Sequence, residues 1–175
     1  IITPMSSEKN IEYWLLRGIY VCLGLVLVTP LLINSNFLFP FITPKTVWFR
    51  LLVEIALLVY IPLAIRMPEY RPKLNHKVVI AVLVYFGLLV LSAIFGVNPY
   101  RSFWGTIERG EGLLTLLHFL VFFIISISVL KKEKHWLWFI GGAVVASVVS
   151  AFYAVGQIVE SSKVIHAGET RISST

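Results

Sequence analysis

Long apolar segments alternate with short polar ones along the whole chain. Each apolar segment approaches or exceeds the length of about 18 residues at which an α-helix can cross the hydrocarbon core of a bilayer. Backbone groups inside a bilayer must find their hydrogen-bond partners within the segment, which favours helices over open sheets. The pattern predicts an all-α, polytopic transmembrane bundle with about five spans, at approximately Tyr13–Ile33, Val47–Ile65, Val78–Phe95, Leu113–Leu130 and Trp136–Gln157.

The composition agrees with this pattern. Hydrophobic residues make up 58% of the 175 residues and charged residues only 14%, and the mean hydropathy is +0.86. A soluble domain carries about 25% charged residues, so a water-soluble core is excluded. We expect residues 1–175 to form a single membrane domain, and we expect this domain to be the amino-terminal portion of a longer protein.

Lys and Arg are distributed unequally between the two sides of the predicted bundle. Nine of the fifteen basic residues lie at the start of the first span or in the connections that follow the second and fourth spans. Basic connections are retained on the cytoplasmic side. The first apolar segment is also too long for the apolar part of a cleaved signal peptide. We therefore expect a retained anchor, a cytoplasmic amino terminus and an external carboxy terminus.

The chain lacks the residues that several kinds of functional site require. Cys22 is the single cysteine, so neither an internal disulfide nor a thiolate metal site can form. The four His residues lie in different segments, and no Gly-rich phosphate loop ends in Lys-Ser or Lys-Thr. The net charge of +6 is explained by basic loops that anchor spans to an anionic leaflet. We expect no metal, no cofactor and no nucleic-acid partner, and the oligomeric state stays open.

Glu54 is an ionisable residue near the middle of the second predicted span. A charge at this depth is costly and usually faces a partner or a polar cavity. Arg50 lies one helical turn earlier and shares a helix face with Glu54, because residues four positions apart are neighbours on a helix. We expect Glu54 and Arg50 to form a structural pair or to line a polar cavity.

Small residues recur at every fourth position of the fifth predicted span, at Gly142, Ala146, Ser150 and Ala154. Such a stripe lets another helix approach closely. Packing against an earlier span of the same chain is the favoured interpretation, since five helices already need buried faces. A contact between two copies of the chain is the alternative.

The connection between the third and fourth spans, residues 96–112, concentrates polar residues suited to binding, with two Arg, two Glu and four Gly. Arg binds phosphate through planar, bidentate hydrogen bonds. Arg101 and Arg109 are therefore candidates to hold a diphosphate. The alternative is that they form ordinary loop salt bridges with Glu108 and Glu111.

Trp104 and His118, in and after this connection, each allow two interpretations. Trp104 has the position of an aromatic residue at headgroup depth, and a surface that stacks on a sugar ring is the alternative. His118 follows the start of the fourth span. A hydrogen bond between helices is favoured for it over a role as a general base.

Several stretches of this chain resemble the amino-terminal part of the bacterial O-antigen ligase and polymerase family of integral membrane glycan transferases. The likeness extends over most of the chain. It is carried by Ser102–Gly105, Glu108–Leu114 and Leu117–Phe119, by Lys45, Phe49–Arg50, Val53–Ile55 and Tyr70–Pro72 upstream, and by Gln157 and Arg171–Thr175 downstream. The family's large external loop, with its catalytic histidine, has no counterpart here, so no catalytic residue is assigned and these residues alone are expected to be inactive.

The resemblance implies transfer of a glycan from an undecaprenyl-diphosphate carrier to a glycan or lipid acceptor. The reaction would take place at the outer face of the bacterial cytoplasmic membrane, without a metal or a nucleotide sugar. Arg109 and Arg171 would bind the carrier diphosphate and stabilise charge on the leaving group. Arg101, Glu111 and Trp104 are further substrate-binding candidates under the same resemblance.

A non-enzymatic membrane component is the alternative class of function. A transporter, a channel subunit or an assembly partner would also use an intramembrane Glu54 and a stripe of small residues. The charged span has no inverted repeat elsewhere in the chain, and glycan transfer is the leading hypothesis.

Overall fold

The computed structural model describes residues 4–32, 42–106 and 111–172, with side chains placed in 9–32, 42–106 and 111–156. This part of the chain is helical and contains no strand, which confirms the all-α prediction. Single turns of 3-10 helix follow the first two helices. The helices are α1 Pro4–Val28, α2 Thr43–Arg66, α3 Lys77–Ile94, α4 Pro99–Trp104, α5 Leu113–Val129 and α6 Glu133–Ile172.

Among the described residues, four segments are long and apolar enough to cross a membrane, which supports the prediction of a polytopic membrane protein. They are Lys9–Leu31, Thr43–Arg66, Lys77–Ile94 and Glu133–Gly156. Helix α5, which corresponds to the predicted fourth span, is apolar but has only 17 residues. At 1.5 Å per residue it is about 26 Å long, slightly less than the thickness of a bilayer's hydrocarbon core.

Some helices extend beyond the predicted spans, and one helix was not predicted. Helix α6 continues to Ile172, well past the predicted end at Gln157, because hydropathy falls there while no proline interrupts the helix. The predicted connection 96–112 contains the additional helix α4. Its signal was present in the sequence, since Asn98 caps the helix by accepting a hydrogen bond from the Arg101 amide and Pro99 follows at the first helical position.

The best-buried side chains lie where α1, α2 and α5 meet. Ile19 and Leu63 are fully buried, and Leu23, Ile125 and Val129 are nearly so. Helices α3 and α6 bury few or no side chains of their apolar segments inside the chain. Helices α3 and α6 therefore pack on the outside of the centre formed by α1, α2 and α5, and their apolar faces are available to lipid.

Gly142 marks a close approach between α6 and α1. A Cβ atom at this position would lie 2.8 Å from Cδ1 of Leu27. Packing within the chain, the favoured interpretation of the small-residue stripe, is thus present at Gly142. Further along the stripe, the Ser150 hydroxyl donates a hydrogen bond to the carbonyl of Ala146 and so finds its partner within α6.

Leu63→Ala is expected to lower the free energy of unfolding by about 2–5 kcal/mol, because it opens a cavity at a fully buried position. Ile65→Ala is the matched control, since Ile65 lies two residues away on α2 and is 68% exposed. The measurement is the unfolding transition of the purified protein in detergent, followed by circular dichroism. Equal destabilisation by both variants would contradict the assignment of the centre to α1, α2 and α5.

Candidate functional site

The loop between α4 and α5 is closed by two glycines that lie against each other. Gly105 has a φ of +80°, a backbone conformation that side chains other than hydrogen disfavour. A Cβ on Gly105 would lie 2.6 Å from the amide nitrogen of Gly112, and a Cβ on Gly112 would collide with the carbonyl oxygen of Phe103. This closure brings Glu111 beside the end of α4.

Helix α4 displays aromatic side chains at the surface. The ring of Trp104 is half-exposed, lies edge-to-face against Phe103 at 5.1 Å between centroids, and is 6.4 Å from the ring of Tyr100. An aromatic group of this kind suits headgroup depth and also offers an open ring face to a sugar. Both interpretations of Trp104 stay open.

Arg101 and Glu111 line one polar cavity of about 470 Å³. Ser102 and Thr106 add hydroxyl groups to its wall. Among the described residues, Arg101 and Glu111 do not pair with each other as a salt bridge. The cavity therefore contains a guanidinium and a carboxylate that do not pair with each other. The alternative, loop salt bridges of Arg101 and Arg109 with Glu108 and Glu111, stays a prediction, since Glu108 and Arg109 lie outside the described residues.

Glu111 also lines a second cavity, of about 530 Å³, between the starts of α2 and α5. Lys45, Thr46 and Thr115 line this cavity together with Glu111. Most of the remaining wall is apolar. Its aromatic members are Phe49, Phe119 and Phe122, with the rings of Phe49 and Phe119 stacked at 4.4 Å. We call this region, where α2 and α5 begin, the Lys45 end of the bundle.

Below these cavities, α2 and α5 run side by side in the same direction. Arg50 donates a hydrogen bond to the hydroxyl of Thr115, and one turn further along both helices Glu54 contacts His118. Arg50 and Glu54 thus both have partners on α5. The sequence predicted that Arg50 and Glu54 pair with each other along α2. The contacts between α2 and α5 do not test that pairing, which stays a prediction.

His118 is held at both ring nitrogens. Nδ1 lies 2.7 Å from the carbonyl oxygen of Leu114, which can only accept, so Nδ1 carries a proton. Nε2 lies 3.1 Å from Oε1 of Glu54. A hydrogen bond there requires one more proton, on either the imidazole or the carboxylic acid. In both states the pair is electrically neutral, which lowers the cost of placing it within a span.

The two sides of this pair differ in accessibility. The side chain of His118 is 13% exposed and that of Glu54 is 60% exposed. The favoured interpretation of His118, a hydrogen bond between helices, agrees with this geometry. Glu54 in addition presents its carboxylate on the surface of the bundle at the midpoint of α2.

The remaining predicted site residues fall outside the placed side chains. Arg109 and Glu108 lie outside the described residues. Arg171 lies in α6, in the part of the helix for which only the backbone is described. Their proposed diphosphate contacts stay predictions. Sequence reasoning did not include Lys45 among the site residues. Its available signal was its place at the start of a span on the predicted outer side.

Comparison of this chain with protein-family models, with curated proteins and with solved structures gives no match.

Gly105→Ala is expected to destabilise the loop, since the backbone at this position, with φ +80° and ψ −167°, costs other residues roughly 1–3 kcal/mol and the added Cβ meets the backbone of Gly112. Gly87→Ala is the control, because no atom lies within 4 Å of a Cβ at that position in α3. Limited proteolysis should cleave the loop between α4 and α5 faster in Gly105→Ala than in the unmodified protein. In Gly87→Ala the same loop should be cleaved at the unmodified rate. Equal cleavage would contradict the closed loop.

Proposed function

We propose that this protein takes part in transferring a glycan from a lipid-linked diphosphate carrier to an acceptor at the outer face of the bacterial cytoplasmic membrane. The chain would supply the carrier-binding part of an enzyme of the O-antigen ligase and polymerase type. Undecaprenyl diphosphate is the carrier that the resemblance implies.

The observation that supports this proposal best is the position of Glu111 between two cavities of different character. One is polar and contains Arg101, and the other contains Lys45 and has aromatic walls. A carrier of this class combines a charged diphosphate, a hydrophilic sugar and a long apolar chain. The adjacent cavities match those parts, with an apolar wall for the chain and cationic groups for the diphosphate.

The cationic groups have a direct role in this proposal. Arg101 lines one cavity with Glu111 and Lys45 lines the other with Glu111, and Arg109 stands two residues before Glu111 in the sequence. Guanidinium and ammonium groups fixed near a diphosphate stabilise the charge that develops on it as the glycan leaves. Glu111 would accept hydrogen bonds from hydroxyl groups of the first sugar.

The distribution of basic residues supports an outer location for this site. Glu69, Arg71 and Lys131 lie at the opposite end of the bundle from Lys45. Since basic connections stay on the cytoplasmic side, the Lys45 end faces outward in this proposal. Glycans on lipid carriers are elongated and joined there.

Arg109→Ala and Lys45→Gln are expected to reduce glycan transfer by about 100-fold, which is typical for removal of one group that stabilises transition-state charge. Arg66→Gln, an exposed basic residue at the end of α2, is the control and should keep transfer. Transfer is measured in membranes that contain the full-length protein and are supplied with carrier-linked glycan, and carrier binding is measured separately by native mass spectrometry. Normal transfer by Arg109→Ala, with normal membrane insertion, would overturn the diphosphate assignment.

Proton or ion movement is a second candidate function, and one observation favours it. The Glu54 carboxylate lies halfway along α2, 3.1 Å from Nε2 of His118, and is 60% exposed. Ionisable residues within spans often mark proton or ion pathways. In this alternative the Glu54 and His118 pair would exchange its proton with the exposed side of the bundle.

Glu54→Gln separates the two candidate functions. For a transporter, proton flux into liposomes loaded with a pH-sensitive dye should fall to the level of protein-free liposomes in Glu54→Gln. Glu133→Gln, which changes an exposed carboxylate at the start of α6, should keep the flux. For a glycan transferase, the unmodified protein itself should show no flux above that background.

A further inference from the structure

The opposite end of the bundle contains the largest of the cavities described here, with a volume of about 1050 Å³. It lies where α2, α3 and α5 approach the start of α6, and we call it the Lys131 cavity. Its polar side chains come from the connection after α2 and from the end of α5. They are Glu69, Arg71, Lys73, His76, Ser128 and Lys131.

The other wall of the Lys131 cavity is apolar and belongs to the helices themselves. Val79 of α3, Phe123 and Ile127 of α5, and Trp136 of α6 form it. Val79 is buried and the other three are half-buried. The cavity therefore has one charged side at the helix ends and one apolar side along the membrane-spanning helices.

The charged side carries an excess of positive groups. Three permanent cations, Arg71, Lys73 and Lys131, share it with one carboxylate, Glu69. Lys131 contacts Glu69 at 3.5 Å, which leaves the other two cations uncompensated within the cavity. The Nδ1 atom of His76 accepts a hydrogen bond from the Val78 amide, so a neutral His76 carries its proton on Nε2 and adds a donor.

Arg71 is held in place by the helix that precedes it. Its Nε donates to the carbonyl of Ala64 at 3.0 Å, and one terminal nitrogen donates to the carbonyl of Ile65 at 3.4 Å. These bonds satisfy carbonyl groups at the end of α2. A guanidinium has five N–H donors, so Arg71 keeps donors for a ligand while its position is fixed.

Lys131 is held by an aromatic ring as well as by Glu69. Its ammonium lies 3.5 Å from the ring centroid of Tyr70. The Tyr70 hydroxyl donates to Glu12 of α1 at 3.0 Å, and the Tyr70 carbonyl accepts a hydrogen bond from Tyr60. Burial raises the pKa of Tyr70, and the hydrogen bond to Glu12 acts in the same direction. The phenol thus stays protonated and the ring stays fixed under Lys131.

We propose that the Lys131 cavity binds one anionic phospholipid. The phosphate and its headgroup lie against Arg71, Lys73 and Lys131, and an acyl chain lies along Phe123, Ile127 and Trp136. Basic pockets between membrane helices bind anionic headgroups because the charges are complementary at the depth where lipid phosphates lie. A free phosphate would satisfy the charges and leave the apolar wall without a partner, so the cavity matches a lipid better than a soluble anion.

Trp136 provides a direct reporter for this proposal. The purified protein is placed in liposomes in which a minor fraction of the lipid carries brominated acyl chains, which quench nearby tryptophans. Brominated phosphatidylglycerol should quench more than brominated phosphatidylcholine at the same mole fraction, and Trp136→Phe should remove this difference. Equal quenching by the two lipids in the unmodified protein would overturn the proposal.

Charge variants test the headgroup side of the cavity. The double variant Lys73→Gln/Lys131→Gln should lower the preference for phosphatidylglycerol by about tenfold, because two cations near the lipid phosphate are lost. Lys132→Gln/Lys134→Gln removes the same charge from exposed positions that do not line the cavity, and should keep the preference. Loss in both double variants would indicate a diffuse surface effect and contradict a defined site.

Two further measurements serve as controls for the charge variants. Lys73→Gln alone should lower the preference without affecting folding, since Lys73 is exposed, and its unfolding transition is compared with that of the unmodified protein. Inorganic phosphate and glycerol phosphate are then added at millimolar concentration. Unchanged quenching supports a lipid site, and full reversal would show that the cavity binds a free anion and overturn the lipid assignment.

Discussion

A carboxylate in the middle of a membrane-spanning helix needs a partner, and α5 supplies that partner to α2. The contact of Glu54 with His118 sets the register between the two helices, and the bond from Arg50 to Thr115 repeats it one turn away. Separating either pair within a bilayer would cost free energy, because the hydrocarbon offers no other hydrogen-bond partner to the separated groups. These two contacts therefore hold the two helices in one alignment.

The alignment of α2 with α5 also determines where the loop before α5 must arrive. If Thr115 lies beside Arg50, then Glu111, four residues earlier, lies near Lys45, and the two described ends of the connection between α4 and α5 meet at Gly105 and Gly112. The two glycines permit that close approach because neither carries a side chain. The two cavities at the Lys45 end thus depend on a polar contact deeper in the bundle.

Both ends of the bundle combine cationic groups with apolar walls, but they do so with different chain elements. At the Lys45 end, Arg101 of the short helix α4 and Glu111, just before α5, line the cavities with residues at the starts of α2 and α5. At the other end, Arg71 and Lys131 are held by helix carbonyls and an aromatic ring. Amphipathic ligands fit such boundaries because their own charged and apolar parts are separated in the same direction.

The sequence by itself determined that the chain is helical and crosses a membrane, because apolar length and backbone hydrogen bonding leave few other structures. It also held the local signals for helix α4, in the capping residue Asn98 and in Pro99. Only the tertiary structure decided that Glu54 meets His118 and that Lys45 shares a cavity with Glu111. These partners are more than 60 positions apart, and local periodicity shows which face a residue occupies but not which helix packs against it or in what register.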